Sequence, residues 1–286
     1  MQDHRHSSGF TGDEPRQSLA TGFRNVDTSG DTGACKHCLD LIAGIPFFRQ
    51  IKEESYRIIA DTNPSGVLDA GCGAGADLAG LAACVPPECQ LVGLDASATL
   101  LARAAERTGE CKERCSLVRG DVTKIPCKGG SFDACRIDRV LQHLRNPDAA
   151  VRELARVLKP GGVLVAFDND WDTFSISLDD EDTAARICRS WRDSFASGRI
   201  GQDLTGLFEA CGITAIRTEP RVLVLTDLSL AKQVFDLPDL LERMVQSGSL
   251  TPGETASIWE ELIRKARKGM FSAGYTGYLV RGTKPG

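Results

Sequence analysis

The chain has 286 residues, a net charge of -5 at pH 7 and a hydrophobic fraction of 42%, enough for a packed core in one large domain or two small ones. The acidic balance argues against the overall basic field that attracts nucleic acid or an anionic membrane. The first thirty residues are polar and no long apolar run follows, so we expect a cytoplasmic protein without membrane insertion.

Two regions are predicted before the first strand. Residues 1–30 have few large apolar side chains and no sustained period, which predicts a flexible N-terminal segment. Residues 31–62 turn to a helical pattern, broken once at Pro46, and predict N-terminal helices. The turn sequence Asn63-Pro64-Ser65-Gly66 then leads into the first strand.

Strand and helix signals alternate over residues 63–228, which we interpret as the core of the protein. Strands are predicted at 66–69, 90–95, 116–119, 132–137, 163–167, 213–218 and 221–225. Helices are predicted at 76–84, after the N-cap Ser97, from Asn146-Pro147 to 158, at 183–194 and at 204–211. This alternation favours an α/β fold with a doubly wound, mainly parallel sheet.

Residues 229–268 interrupt the alternation with two predicted helical segments. The second begins at Thr251-Pro252-Gly253-Glu254, where Thr and Glu have the spacing of a capping box. A closing strand is predicted at 275–281, within a last region of residues 269–286 that belongs to the core. Because 229–268 lies between two late strands, we interpret it as an inserted helical cap over the site.

Eleven cysteines, an odd number without an export signal, argue against a disulfide framework. Cys35, His37 and Cys38 have metal-ligand spacing, but no second pair of similar spacing completes a four-ligand zinc site. Cys111 and Cys115 could share one helix face, so a soft-metal or arsenic role stays open as an alternative. We expect reduced, mostly buried cysteines and no metal site.

The most informative stretch is Val-Leu-Asp-Ala-Gly-Cys-Gly-Ala-Gly at residues 67–75, a short apolar strand followed by three glycines at alternate positions. Such glycines permit a tight turn and let the backbone lie directly against a ligand. The glycines also fit the dinucleotide pattern G-x-G-x-x-G/A. Asp69 before them and Asp95 at the end of the next strand distinguish the chain from that pattern. It resembles class I S-adenosylmethionine-dependent methyltransferases.

Later motifs extend the resemblance. Gly120-Asp121-Val122 resembles the adenine motif of the family, and residues 132–134 and 158–162 resemble two motifs around its fourth and fifth strands. The whole is similar to the UbiE-like, or type 11, small-molecule methyltransferases. The resemblance implies a seven-stranded Rossmann-like sheet whose last strand is antiparallel, and S-adenosyl-L-methionine as cofactor.

The resemblance also implies the residues that bind this cofactor. The methionine portion would lie against the backbone of Gly71–Gly75, and the Asp95 carboxylate would accept hydrogen bonds from the ribose hydroxyls. The Asp121 carboxylate would meet the adenine amine, and the Val122 amide a ring nitrogen. The full predicted set is Asp69, Gly71, Cys72, Gly73, Gly75, Asp95, Ala96, Asp121, Val122 and Asp138.

Methyl transfer from a sulfonium is an in-line displacement, so the protein mainly aligns the acceptor and excludes water. An O–H or N–H acceptor also needs its proton removed. His143, after the fourth predicted strand, is similar in position to the base of some sugar O-methyltransferases, and Asp168 or Asp170 could orient it. The alternative is that His143 only packs against the cofactor or caps a helix.

We therefore predict an enzyme that methylates O or N of a small-molecule substrate. Alternatives are C-methylation of a quinone-like substrate, methylation of arsenic through cysteine thiolates, and a non-catalytic cofactor-binding regulatory subunit. A dehydrogenase is disfavoured because it would not need the acid at Asp69. The substrate and the oligomeric state are not encoded in any motif of the chain.

Overall fold

The computed structural model describes Asp27, residues 41–42 and residues 44–286. The Cys35–Cys38 motif and, apart from Asp27, the predicted flexible segment 1–30 lie outside the described residues. The division of the chain into a core, N-terminal helices and an inserted cap stays a prediction.

Seven strands form one sheet in the order β3-β2-β1-β4-β5-β7-β6. They are β1 Gly66–Ala70, β2 Gln90–Asp95, β3 Cys115–Arg119, β4 Phe132–Asp138, β5 Leu158–Ile176, β6 Thr214–Leu225 and β7 Ala273–Thr283. The strands β1 to β5 are mutually parallel, and β7 is antiparallel to both of its neighbours, β5 and β6. The predicted seven-stranded sheet with an antiparallel last strand is confirmed. Its parallel arrangement brings the carboxyl ends of β1 to β5 to one edge.

Nine α-helices connect and cover the strands in the described part of the chain. They are α1 Pro46–Ala60, α2 Ala76–Cys84, α3 Ala98–Arg107, α4 Pro147–Val157, α5 Glu181–Asp193, α6 Ile200–Ala210, α7 Leu228–Val234, α8 Leu237–Gln246 and α9 Pro252–Arg267. The predicted N-caps at Ser97, Asn146 and Thr251 each accept a backbone N–H, and Thr251 forms a complete capping box with Glu254. None of these helices is both long and apolar enough to span a membrane.

Three predicted boundaries were wrong, each because of a contact far along the chain or a local backbone break. The strand predicted at 163–167 extends to Ile176, because β7 pairs with it from Val163 to Ile176 with one irregularity after Asp170. The two strands predicted within 213–225 are one strand, since β7 pairs with both halves. The first helical segment of 229–268 is divided into α7 and α8 at Asp236, whose φ is 45°.

Hydrophobic residues form three clusters, two of them on opposite faces of the sheet. One face carries α4 and α6, with Val151, Leu154, Leu204 and Phe208 in its core. The other carries α1 and α2, with Ile59, Leu78 and Leu81. The third cluster joins α5, α7, α8 and α9 to the far ends of β5, β6 and β7 and is rich in aromatic rings: Phe48, Trp171, Phe174, Trp191, Phe195, Phe235, Phe271 and Tyr275. The helical insert thus packs beside the carboxyl edge of β5.

Candidate functional site

In the turn after β1, close packing requires glycine at the two end positions, whereas the central position is open. Gly71, Gly73 and Gly75 all have positive φ, at 74°, 52° and 75°. A Cβ on Gly71 would lie 2.3 Å from Val140 Cγ2, and one on Gly75 would lie 2.8 Å from Ala104 Cβ. A Cβ on Gly73 would meet no heavy atom of the described residues within 4 Å. The middle of the turn therefore presents bare backbone to open space, where a ligand can approach.

Asp95, at the end of β2, holds this turn. Its Oδ2 accepts the Gly73 N–H at 2.8 Å and its Oδ1 accepts the Ser97 N–H at 2.9 Å. The Gly71 and Cys72 N–H groups both donate to Leu94 O, at 2.7 and 3.0 Å. Burial raises the pKa of Asp95, with the backbone donors at Ser97 and Gly73 acting against that rise. Each carboxylate oxygen keeps a second lone pair, so Asp95 can still accept ribose hydroxyls.

The predicted adenine residues lie on the neighbouring loop. The Gly120 N–H donates to Asp95 O at 3.0 Å, which joins the ends of β2 and β3. Asp121 is exposed, and its carboxylate accepts the Thr123 N–H at 2.8 Å. Val122 is buried and Ala96 is exposed. The structure therefore brings Asp95, Ala96, Asp121 and the glycine turn to one edge of the sheet.

Cys72, also in the predicted set, contributes backbone to the turn. Its side chain is buried, and a Cβ on Gly93 of β2 would lie 2.9 Å from its Sγ. Burial raises the pKa of the Cys72 thiol, and the neighbouring Asp69 and Asp95 raise it further. The thiol is therefore neutral and part of the core.

Arg136 is the centre of a buried ion cluster beneath the glycine turn. Asp69 and Arg136 are directly paired across β1 and β4. The Arg136 guanidinium lies 3.0 Å from Asp69 Oδ1, 3.2 Å from Asp77 Oδ2 and 2.6 Å from Asp138 Oδ2. Its Nε donates to Ser55 Oγ at 2.9 Å. One cation thereby connects three carboxylates that come from β1, α2 and β4.

Two further cations complete the cluster. Lys52 of α1 lies 2.5 Å from Asp77, and Arg139 lies 3.0 Å from Asp138. Burial by itself would raise the pKa of Asp77, but Arg136 and Lys52 outweigh it and hold this pKa far below its usual range. Three cations thus face three carboxylates, so the buried charges cancel, as burial in a low dielectric requires.

Asp69 and Asp138 therefore have ion-pair partners as well as their predicted cofactor roles. Asp138 has an arginine at each oxygen. Asp69 Oδ2 is buried and has no hydrogen-bond partner within the described structure. Burial raises the pKa of Asp69 to about 6, with Arg136 opposing. An unpartnered buried acceptor beside an open glycine turn fits a ligand that carries an ammonium and hydroxyl groups. Cofactor contacts from both residues stay predictions.

The motif analysis missed Arg136, Lys52 and Asp77. A signal was present, because Arg136 stands between the apolar residues Cys135 and Ile137 of a strand predicted to be covered on both faces, and a buried cation requires a counter-charge. Lys52 and Asp77 had no such signal, since each looks like a polar position of an amphipathic helix. Tyr56 was missed for the same reason, and its hydroxyl donates to Asp77 Oδ1.

His143 ends a short 3₁₀ turn, Leu141–His143, directly after β4, and its ring is half-buried. Gln142 Nε2 lies 3.1 Å from His143 Nε2. Asp168 accepts the backbone N–H groups of Gln142 and Asn169 at 3.2 and 3.0 Å, and burial raises its pKa to about 7. Asp170 accepts the Asp172 N–H at 3.1 Å, and burial raises its pKa.

These three predicted catalytic residues are close along the same edge, yet the side chain that meets His143 Nε2 is an amide that motif analysis overlooked. Both carboxylates hold backbone N–H groups. Their role in orienting His143 stays a prediction. Trp171 and Phe174, which follow Asp170 on β5, are buried in the aromatic cluster.

A cavity of about 540 Å³ opens beside His143. It is connected to the histidine through Phe195, whose ring centroid is 5.7 Å from that of His143. Its lining comes from the start of α4 and from the α5–α6 connection: Pro147, Asp148, Arg192, Asp193, Phe195, Ala196, Ser197, Gly198, Arg199, Ile200, Asp203 and Leu207. The volume is within the range of pockets for small molecules.

Comparison with known proteins agrees with this geometry. Residues 68–166 match a family model described as "Methyltransferase domain". The chain is 35% identical over 222 residues to an uncharacterised 37.1 kDa protein in a transposon of Streptomyces fradiae, covering 77% of this chain and 63% of that protein. It is 31% identical over 140 residues to a demethylmenaquinone methyltransferase of Staphylococcus aureus, covering 48% of this chain and 58% of the relative. The chain thus spans less than two thirds of either relative.

Among solved structures, the fold is similar to phosphoethanolamine N-methyltransferase 2 of Haemonchus contortus, determined with phosphomonomethylethanolamine and S-adenosylhomocysteine. The TM-score is 0.56 at 18% identity, covering 94% of this chain and 61% of that one. At this identity the likeness concerns the fold.

Proposed function

We propose that this chain, which carries a class I S-adenosylmethionine-dependent methyltransferase domain, transfers the cofactor's methyl group to an oxygen or nitrogen of a small molecule. S-adenosylmethionine, the cofactor of this family, is the one predicted from the motifs. It supplies a methyl carbon on an activated sulfonium leaving group. The protein's own residues bind the cofactor, align the acceptor in line with the methyl group and exclude water.

One observation carries the proposal: the Gly71–Gly75 turn is fixed by Asp95 and is open at Gly73. Gly73 is the only glycine of the three whose Cβ position is free of contacts. The Asp95 carboxylate that secures this turn is only half-buried, so it can bind the turn and a ribose together. A turn kept open in this way serves a ligand that lies along the backbone.

The acceptor side of the proposal rests on the cavity beside His143. Its volume suits a small molecule, and it is bounded by the start of α4 and the α5–α6 connection, where Phe195 contacts His143. Its lining carries both signs of charge, with Arg192 and Arg199 each bonded to Asp172. A polar acceptor with oxygen or nitrogen groups is therefore better accommodated there than a purely apolar one.

C-methylation of a quinone-like substrate is the second candidate, and the similarity to demethylmenaquinone methyltransferase favours it. The mixed charge of the cavity lining argues against it, because a quinone ring with an apolar tail would leave the arginine and aspartate groups desolvated. For arsenic, no cluster of three or more metal-ligating side chains occurs in the described part of the chain.

Calorimetric titration with S-adenosylhomocysteine tests the cofactor site. The wild-type chain should bind it saturably and should not bind NADH. Asp95→Ala should weaken binding at least about 100-fold, because the loss of two charge-assisted hydrogen bonds costs roughly 3 kcal/mol or more. The affinity of Asp95→Asn, which keeps one acceptor oxygen, should lie between those of the wild type and Asp95→Ala. Asp61→Ala changes an exposed aspartate beyond α1 and is the matched control.

Circular dichroism of each variant separates lost binding from lost folding. The proposed site would be contradicted if Asp95→Ala and Asp61→Ala bound S-adenosylhomocysteine equally well, or if the wild type bound NADH more tightly than S-adenosylhomocysteine. If the site binds, formation of S-adenosylhomocysteine from S-adenosylmethionine with a panel of phenols, amines and quinols distinguishes O-, N- and C-methylation. Binding without turnover on every acceptor class would favour a non-catalytic subunit.

A further inference from the structure

Gln142 is held at three points of its side chain in a buried position next to His143. Its Oε1 accepts the Trp171 Nε1–H at 2.9 Å and the Asn169 Nδ2–H at 3.1 Å. Its Nε2 donates to Arg139 O at 3.4 Å and lies 3.1 Å from His143 Nε2. Gln142, Trp171 and Asn169 are each at most 5% exposed. The amide thus connects β5 directly to the histidine turn.

The orientation of this amide is set at both ends by groups that have only one hydrogen-bonding role. An indole N–H is a donor only, so the Gln142 atom that meets Trp171 must be the oxygen. A backbone carbonyl is an acceptor only, so the atom that meets Arg139 O must be the nitrogen. The two assignments are independent and agree. The group that faces His143 Nε2 is therefore an N–H donor.

Because Gln142 donates, His143 Nε2 must accept, and the proton of the neutral imidazole must be on Nδ1. We propose that Gln142, fixed by Trp171, is a positioning residue that keeps His143 in the Nδ1–H tautomer. In this tautomer Nε2 accepts the Gln142 N–H, so His143 does not serve as the general base of the reaction. This inference rests on the proposed methyl-transfer function for its meaning, although the tautomer itself does not depend on that function.

Several contacts prevent a flip of the Gln142 side-chain amide. The Gln142 N–H donates to Asp168 Oδ2 at 3.2 Å, and Gln142 O accepts the Ser197 N–H at 3.0 Å, so the backbone is fixed on both sides. Trp171 is stacked on Phe195 with centroids 4.9 Å apart and an interplanar angle of 19°. Turning the amide would set its N–H₂ against the indole N–H, leaving a buried donor unpaired at a cost of about 1–3 kcal/mol.

The tautomer restricts the chemistry of the acceptor. Protonation of His143 at Nε2 would place an N–H against the Gln142 N–H₂, donor against donor, so uptake of a substrate proton there requires breaking the amide contact. A site whose histidine does not act as a base suits a methyl acceptor that needs none: an oxygen already ionised near neutral pH, such as a phenolate or carboxylate, or an amine lone pair.

Long-range ¹H–¹⁵N spectra of the histidine-labelled full chain test the tautomer directly, with the His143 signals assigned by comparison with His143→Ala. The wild type should show the Nδ1–H pattern. Gln142→Glu replaces the donating N–H₂ by an oxygen of the same shape that only accepts. The proton should therefore move to Nε2 in this variant. Gln233→Glu makes the same change on the exposed face of α7 and should leave the wild-type pattern.

Trp171→Phe is a second, milder variant that removes one of the two donors to Gln142 Oε1, and it should admit a minor Nε2–H population while Asn169 and Arg139 O still favour the wild-type orientation. An Nε2–H pattern in the wild type, or the same pattern in Gln142→Glu and wild type, would overturn the inference. Affinity for S-adenosylhomocysteine should be unchanged in Gln142→Glu. Failure of the wild type to bind this ligand would instead contradict the proposed function and leave the tautomer result intact.

Discussion

Replacement of Arg136 by methionine should destabilise the fold by about 3–5 kcal/mol, the range typical for breaking a buried ion pair. The guanidinium is 2% exposed and lies 2.6–3.2 Å from the carboxylates of Asp69, Asp77 and Asp138. Methionine has a similar length and no charge, so the substitution removes the cation while largely filling its volume. The cluster then changes from neutral to a net charge of -1.

The expected loss of stability in Arg136→Met is the balance of two opposing contributions. At an effective dielectric constant of about 20, one such pair near 3 Å attracts by roughly 5 kcal/mol, and Arg136 makes three. The desolvation of the buried guanidinium, several kcal/mol, offsets part of this attraction, and the remaining cations Lys52 and Arg139 compensate part of the loss. An uncompensated buried carboxylate can also take up a proton. The loss of unfolding free energy in Arg136→Met should therefore be smaller at pH 5 than at pH 8.

Urea denaturation followed by circular dichroism measures the change, and the melting temperature should fall by roughly 6–20 °C. Arg152→Met is the matched control, since the Arg152–Asp148 pair is 63% and 48% exposed and should contribute less than about 0.5 kcal/mol. A loss below about 1 kcal/mol in Arg136→Met, or a deficit equal to that of Arg152→Met, would refute the view that this cluster stabilises the sheet edge.

Three further predictions concern the glycine turn, Asp168 and one pair of cysteines. Gly73→Ala should retain the fold and lose affinity for S-adenosylhomocysteine in calorimetry, whereas Gly75→Ala, whose Cβ would clash with Ala104, should lower the melting temperature. Asp168 keeps its proton up to about pH 7 when folded but ionises near pH 3.8 when unfolded. The free energy of unfolding of the wild type, relative to that of Asp168→Asn, should therefore fall by roughly 4 kcal/mol in total between about pH 4 and 7 and stay level above pH 7. Urea midpoints of both proteins at pH 5 and pH 8 measure this change. The same difference in midpoint at both pH values would contradict the prediction. Cys111 and Cys115, with Sγ atoms 3.1 Å apart, should form a disulfide with the small-molecule oxidant diamide, seen as a cross-linked peptide by mass spectrometry and absent in Cys111→Ser.

The glycine turn and the helix starts could be predicted because their causes are local. A glycine adopts positive φ without a Cβ penalty, so the spacing of Gly71, Gly73 and Gly75 predicts a turn from the local sequence alone. Ser97 and Thr251 cap their helices through backbone N–H groups only three residues away. The alternation of elements then sets the parallel sheet, and the sheet brings Asp95 and Asp121 to one edge.

The length of β5, the Arg136 cluster and the Gln142 contacts depend on partners distant in the chain. β5 continues to Ile176 because β7, about a hundred residues later, offers it backbone hydrogen bonds. Gln142 in isolation is a polar residue in a turn, and only its burial against Trp171 assigns its donor and acceptor ends. Sequence alone thus determined the elements and the cofactor edge, since local backbone chemistry sets them. Tertiary structure decided the charge pairing and the orientation of the buried Gln142 amide, because buried polar groups must find partners wherever the fold places them.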